Sequence, residues 1–391
     1  MSETVADRGA GPATDRGVLL EADGLSVVFD RPHSLADRLR GRPRSRLHAV
    51  DGAHLTLHRG ESLALVGESG SGKSTLARAL MGLTPLDAGT VTMDGTVLPG
   101  HRSRSDARRM QMVFQDPYSS LNPRLTVGAV LTELLSVHGL GARSEREATA
   151  RNLLTLVGLS PSAYDAYPRQ FSGGQRQRVA IARALVLEPE LLVADEPVSA
   201  LDVSVQATIL NLLGGLVESL DLTMLFVAHN LAVVRHLCDR VAVMYLGRIV
   251  EVAPTEQLFA DPRHPYTRGL LQAIPRLTPG SRVPVVGVQG DPPSPYAVPT
   301  GCRFHPRCPL ATERCRVQDP ELTRAPSITT EANSRTDHVA ACHYAFGDEP
   351  AAHRPEVLLD LVGPDPADTD PADPDPTDDR RESPEKEVSS T

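Results

Sequence analysis

The stretch Gly67-Glu68-Ser69-Gly70-Ser71-Gly72-Lys73-Ser74-Thr75 has, from Gly67 to Ser74, the eight-residue spacing of a loop that cradles phosphate. Its glycines let consecutive backbone N–H groups turn inward as an anion nest at a helix N-terminus. Lys73 is placed to neutralise β and γ phosphates, and the Ser74 hydroxyl can ligate Mg²⁺. Lysine occurs only at 73 and 386, the other 38 basic residues being arginine, so its presence in this loop is not compositional accident. A second constellation, Leu191-Leu192-Val193-Ala194-Asp195-Glu196, reads as a buried strand ending in two carboxylates. Asp195 would hold Mg²⁺ through water beside the loop, and Glu196 would orient and deprotonate an attacking water. A third, Phe171-Ser172-Gly173-Gly174-Gln175, opens a helical stretch from Arg176 to Leu187 and offers another helix N-terminus to an anion.

The elements that must position these groups are legible nearby. Glu61 to Gly67 reads as a short apolar strand and Lys73 to Met81 as a helix, so the loop has its required strand–loop–helix context. Residues 18–62 read as alternating strands, interrupted by an insertion from Arg31 to Arg46 with six arginines, read as a solvated loop. Ser144 to Leu159 shows amphipathic helical spacing inside a helical region over about 124–188. Asp261 to Thr300 is proline-rich and reads as linker. The expected organisation is a disordered N-terminus at 1–17, an α/β nucleotide-binding domain at 18–260, a C-terminal extension at 261–345 and a disordered acidic tail at 346–391.

Charge supports that division. Residues 351–391 hold 12 acids and 4 bases, or −8 of the total −9, which leaves −1 for the rest. A near-neutral body argues against a nucleic-acid partner. No run of about 18 apolar residues occurs and the N-terminus lacks an apolar signal segment, so the expectation is a chain without its own membrane span, in the cytoplasm.

Five cysteines are present. Cys238 sits in an apolar helical pattern and is assigned to packing. Cys302, Cys308, Cys315 and Cys342, with 5, 6 and 26 residues between them, form a group of four thiols in a chain read as cytosolic, which argues for metal over disulfides. The spacing lacks the tight Cys-x₂-Cys of structural zinc, and wider loops can wrap a [4Fe–4S] cluster. Cluster, zinc and free or redox-paired thiols all stay open on spacing alone, and His305, His338 and His343 lie near enough in sequence to enlarge the ligand set.

Taken in order, the loop Gly67–Thr75, Gln115 after Met110-Gln111-Met112-Val113-Phe114, Phe171–Gln175, Asp195-Glu196, Ser199-Ala200-Leu201-Asp202 and His229 resemble the motif set of ATP-binding subunits of ABC transporters. Phe171 stands where leucine is commonest in that family, with the Ser-Gly-Gly-Gln core intact. Gln115-Asp116-Pro117-Tyr118-Ser119-Ser120-Leu121-Asn122-Pro123, His264-Pro265-Tyr266-Thr267 and Cys302-Arg303-Phe304-His305-Pro306-Arg307-Cys308-Pro309 narrow the resemblance to the oligopeptide/dipeptide/nickel importer branch.

The resemblance implies a P-loop NTPase α/β fold with a RecA-like core, an antiparallel β subdomain, an α-helical subdomain and a small cysteine-containing C-terminal extension. It implies a peripheral subunit at the cytoplasmic face of the cell membrane that hydrolyses ATP with Mg²⁺ to power import of oligopeptides or dipeptides, or alternatively of nickel or another small solute. ATP would lie between two head-to-tail subunits, on the loop of one and on Ser172, Gly173, Gly174 and Gln175 of the other. Gln115 would touch Mg²⁺ and the attacking water, His229 would bond the γ-phosphate, Asp202 would brace the dimer, and Phe29 would stack on adenine. The implied partners are a second, different ATPase subunit, two transmembrane permease subunits and an extracytoplasmic substrate-binding protein. For the four cysteines, the same resemblance points to a [4Fe–4S] cluster in some members.

Overall fold

The computed structural model describes residues 17–30, 46–116, 121–274, 288, 290–324 and 338–346. The expected disorder at either terminus and the arginine-rich insertion fall, but for a residue or two at their edges, outside that set, as do residues 117–120 of the Gln115–Pro123 motif.

Two sheets carry the fold. Strands β1 (Val18–Asp30) and β2 (Arg46–His58) alternate buried and exposed residues, as strands with one solvated face do, and they pair antiparallel with β4 (Ala88–Met93) and β5 (Thr96–Val97) in the order β2-β1-β4-β5. Strands β3 (Ser62–Val66), β6 (Met110–Val113), β7 (Leu191–Asp195), β8 (Thr223–Ala228) and β9 (Arg240–Tyr245) form the parallel part of the second sheet. Every residue of β3, β7 and β8 is buried, which their unbroken apolar runs require of a sheet covered on both faces.

The period of two divides that sheet's side chains between two cores. Leu63, Leu65, Leu191, Val193, Leu225 and Val227 face the antiparallel sheet and helix α1 (Lys73–Leu80). Their neighbours Ala64, Val66, Leu192, Ala194, Met224 and Phe226 face the helical region. There lie α3 (Val127–Val137), α4 (Arg143–Leu156), α5 (Gly173–Leu185) and α6 (Val203–Ser219), while the short α2 (Arg104–Arg109) precedes β6 and α7 (Leu231–Val234) follows β8. The expected α/β core, antiparallel β subdomain and helical subdomain are thus present; the amphipathic stretch read from Ser144 is α4.

The segment read as linker departs from expectation. After β10 (Arg248–Pro254) and α8 (Thr255–Ala260), residues Pro265–Gln272 form a helix, α9. Pro265 occupies its first turn, where proline has no hydrogen bond to lose, and the His264 ring nitrogen Nδ1 caps it by accepting the Tyr266 N–H at 3.0 Å. Beyond it come α10 (Glu313–Val317), β11 (Thr323–Arg324) and β12 (Val339–Ala340). β12 pairs with β10, itself antiparallel to β9, so the second sheet runs β11-β12-β10-β9-β3-β8-β7-β6.

Buried Glu251 on β10 fastens this end of the chain. Its carboxylate receives the backbone N–H groups of Arg263 (2.6 Å) and His264 (3.0 Å) and meets His338 Nε2 at 2.7 Å. Burial disfavours its ionised form most strongly, yet His338, Thr267 and those two amides together outweigh it and hold the carboxyl below its ordinary range.

Candidate functional site

Strands β3, β8, β7 and β6 lie side by side in that order, and each releases one expected motif from its carboxyl end: the glycine loop, His229, Asp195-Glu196 and Gln115. Such strand ends are where open parallel sheets bind ligands.

Two of the loop's glycines, Gly67 and Gly72, are sterically compelled. A Cβ on Gly72, at φ +106°, would come within 2.1 Å of the Ala49 carbonyl, and one on Gly67 within 2.2 Å of the Met244 carbonyl. Lys73 is buried, its Nζ donating to the carbonyls of Gly67 and Glu68 at 2.9 Å each. Burial draws its ammonium below the usual range against the pull of Glu196, Asp195 and Glu68. Ser74 Oγ donates to Asp195 Oδ1 at 2.8 Å, which joins the loop to β7. Asp195 is fully buried; burial raises its pKa, partly offset by Ser74, and its Oδ2 has no hydrogen-bond partner, with Arg78 4.0 Å away. A hydroxyl paired with a carboxylate that keeps one oxygen unused is a donor set that fits Mg²⁺.

Glu196 takes a left-handed backbone conformation, φ 45°. Its Oε2 accepts Gln115 Nε2 at 2.9 Å and stands 3.7 Å from His229 Nδ1. Two residues, each from the end of a different strand, therefore converge on one carboxylate oxygen of a third, Glu196. Ser199 donates its N–H and hydroxyl to the Glu196 carbonyl, at 3.2 and 3.1 Å, and steadies the turn.

The remaining expected residues lie elsewhere. Ser172 and Gln175 cap α5 reciprocally, the Gln175 N–H reaching Ser172 Oγ at 3.3 Å and the Ser172 N–H reaching Gln175 Oε1 at 3.0 Å. That Ser-x-x-Gln capping box is visible in sequence. Among the described residues no hydrogen bond or ion pair joins 172–175 to the loop 67–75. A Cβ on Gly174 would meet Val205 of α6 at 2.6 Å, so this glycine also serves helix packing. Asp202 is exposed at the N-terminus of α6. Phe29 is 44% exposed on β1, opposite Leu47, two residues before the Ala49 carbonyl that packs on Gly72.

Cys302, Cys308, Cys315 and Cys342 line one small cavity with His264, Phe304, His305 and His343. Burial foremost, with neighbouring thiols adding to it, pushes Cys302 up to about 11 and Cys308 up to about 12, and raises Cys342. Ligating a metal would require these thiols to release their protons. Among the described residues no group of three or more His, Cys, Asp or Glu is arranged to hold a metal ion. The expected [4Fe–4S] cluster finds no support in this geometry. Cys238 is buried in the helical core, as assigned.

Sequence reading missed a layer behind the loop. The Gly247 N–H donates to the Ser71 carbonyl at 2.8 Å, and Arg303 bonds the Leu246 carbonyl and Asp51. Tyr266 donates its ring to a cluster with Tyr245 and Phe304 (centroids 4.6 and 5.5 Å away), and its hydroxyl accepts the Glu68 N–H at 2.8 Å. Arg307 grips the Glu68 carboxylate with two bonds. The available signal was chemical: Tyr266, Arg303 and Arg307 are polar residues inside the stretches that carry the branch resemblance.

Against known proteins, residues 50–199 match the family model described as ABC transporter, and residues 250–315 the one described as oligopeptide/dipeptide transporter, C-terminal region. The chain is 49% identical over 321 residues to a protein of Sinorhizobium fredii named "Probable peptide ABC transporter ATP-binding protein", across 81% of this chain and 88% of that one. It is 48% identical over 307 residues to the dipeptide transport ATP-binding protein DppF of Haemophilus influenzae, across 78% and 92%. The solved dimeric ATP-binding cassette MJ0796, in a post-hydrolysis state with ADP and Pi, superposes with a TM-score of 0.53 at 26% identity, over 61% of this chain and 99% of that one.

Proposed function

The chain belongs to the ATP-binding subunits of ABC transporters, and from that premise we propose that it hydrolyses ATP to power import of oligopeptides or dipeptides through a membrane complex. The relatives above carry peptide names, and the second matched region is that of oligopeptide/dipeptide transporters, so the nickel alternative is not favoured. No helix among the described residues is long and apolar enough to cross a membrane, which fits a subunit that relies on separate permease subunits.

The observation that carries the catalytic reading is the convergence of Gln115 and His229 on Glu196, beside the Ser74–Asp195 pair. Lys73 would exchange its two loop carbonyls for the β and γ phosphates as the nest of amides closes on them. Ser74, Asp195 and Gln115 would hold Mg²⁺, which when bound supplies charge neutralisation across the phosphate oxygens. Glu196, turned toward the site by its left-handed backbone, would take a proton from the attacking water, with Gln115 and His229 orienting that carboxylate and the γ-phosphate. Phe29 would offer its exposed ring to adenine.

The signature's lack of any bond to this chain's own loop supports a role in trans. Ser172, Gly173, Gly174 and Gln175 would close on nucleotide held by a second ATPase subunit, with Asp202 bracing the contact, so hydrolysis requires closure of the pair. A different sister subunit, two permeases and an extracytoplasmic binding protein complete the proposed machine, at the cytoplasmic face of the membrane. The segment 261–345 is read as the extension of the peptide branch. Its four thiols share a cavity, and total iron and zinc per folded chain decides whether they hold metal: about one equivalent of zinc or four of iron would revive that reading.

The deciding experiment is Glu196→Gln in the assembled transporter. Hydrolysis should fall by at least about 100-fold while ATP binding persists, since the charge of the base is lost and the cradle is untouched. Turnover near the wild-type rate would remove Glu196 from the base role.

A further inference from the structure

The inference here deepens the nucleotide-site reading and depends on it. Glu68 is the one acid of the phosphate loop 67–75, and it is held from behind by the far end of the chain. Arg307 reaches it with a fork, Nη1 to Oε2 at 2.7 Å and Nη2 to Oε1 at 2.9 Å, and the Arg307 side chain is 5% exposed. The Tyr266 hydroxyl takes the Glu68 backbone N–H at 2.8 Å, and Tyr266 is fully buried. The carbonyl of the same residue takes Lys73 Nζ at 2.9 Å. One loop residue thus joins two side chains from beyond position 260 to the lysine aimed at phosphate.

We infer that Arg307 and Tyr266 are positioning residues for nucleotide binding, clamping Glu68 so that the loop is shaped and its acid neutralised before a polyphosphate arrives. Two physical effects follow from the clamp. Fixing the turn from Gly67 to Gly70 in advance removes an ordering cost from binding. Pairing the Glu68 carboxylate with a guanidinium removes a negative charge from the neighbourhood of a polyanion, an interaction that solvent screens only partly at a half-buried site. The Tyr266 hydroxyl adds a constraint without charge, because it satisfies a loop amide from outside the nest.

The test uses the full-length chain for Mg·ADP binding by calorimetry and the assembled transporter for the KM and kcat of ATP hydrolysis. Arg307→Met should weaken ADP binding and raise KM for ATP about five- to tenfold, with kcat within about twofold. Arg307→Lys, which keeps the charge and loses the fork, should recover part of that loss. Tyr266→Phe should weaken binding about two- to threefold. Glu68→Gln combined with Arg307→Met should bind more tightly than Arg307→Met alone, because no unpaired carboxylate remains. A lowered melting temperature with ADP affinity and KM unchanged would make the clamp a structural staple and overturn the inference, as would a double variant no better than Arg307→Met. Should Arg307→Met not fold, Arg307→Lys and Tyr266→Phe decide by the same readouts. Failure of the wild-type chain to bind ADP would instead sink the nucleotide-site reading itself.

Discussion

At the scale of single residues, the site depends on groups whose chemistry leaves no substitute. Gly72 has a left-handed φ of +106° and a backbone carbonyl where its Cβ would stand. Gly72→Ala is therefore expected to cost at least about 1–2 kcal/mol in unfolding experiments, through strain and a displaced β2. It should weaken ADP binding more than it weakens the fold, since the proposed nest includes the amide at 72; unaltered ADP affinity in a destabilised protein would contradict that. The residues proposed for this chemistry were the most legible in sequence, because phosphate grips need glycine, lysine and a hydroxyl at fixed spacing along one chain segment. The left-handed backbone of Glu196 was not legible, because it is imposed by the turn that Ser199 ties.

At the scale of elements, the cap of α9 turns a proton equilibrium into stability. His264 is 2% exposed, and burial pushes its pKa down to about 4 against the attraction of Glu251. It is thus neutral in the folded chain, while the unfolded chain protonates near 6.5. Its contribution is fully present above about 6.5, declines as pH falls through that value and is lost at about 4; Glu251, also held below its ordinary range, loses stability on acidification at the lower end. The His264 part is of the order of 3 kcal/mol. His264→Asn, which retains a capping acceptor, is expected to flatten the fall in unfolding free energy between pH 6.5 and 5; an unchanged slope would place the titration elsewhere. The linker expected over 261–300 failed at this scale. Proline content signals a break, but Pro265 stands in the first helical turn, the position where proline fits, and the cap comes from a histidine outside the usual capping set.

At the scale of the whole molecule, β12 pairs onto β10, so the C-terminal segment continues the sheet that bears the site. Ending the chain after Gln272 would bare the β10 edge, remove Arg307 from Glu68 of the phosphate loop and remove Arg303 from Asp51 and the Leu246 carbonyl. Such a truncation is expected to aggregate or to melt several degrees lower; equal melting and full ADP affinity would show the segment to be an independent appendage. The signature's separation from the loop carries another expectation: ATPase rate per subunit should rise with concentration of the paired subunits and level off once they are fully paired. A rate per subunit independent of dilution would contradict the two-chain site.

Sequence alone determined the cassette's parts: the phosphate loop, the carboxylates after an apolar strand, the order of motifs and the alternation that assigns strands to their faces. Those are properties of contiguous segments, where residue type and spacing dictate local conformation. Only the tertiary structure decided which distant groups meet. It brought Gln115 and His229 to Glu196, tied Ser74 to Asp195, gathered four thiols round one cavity without metal geometry, and set Arg307 and Tyr266 against Glu68, more than 190 residues away along the chain. Contacts at such separation follow from strand order and packing, which no local pattern of residues encodes.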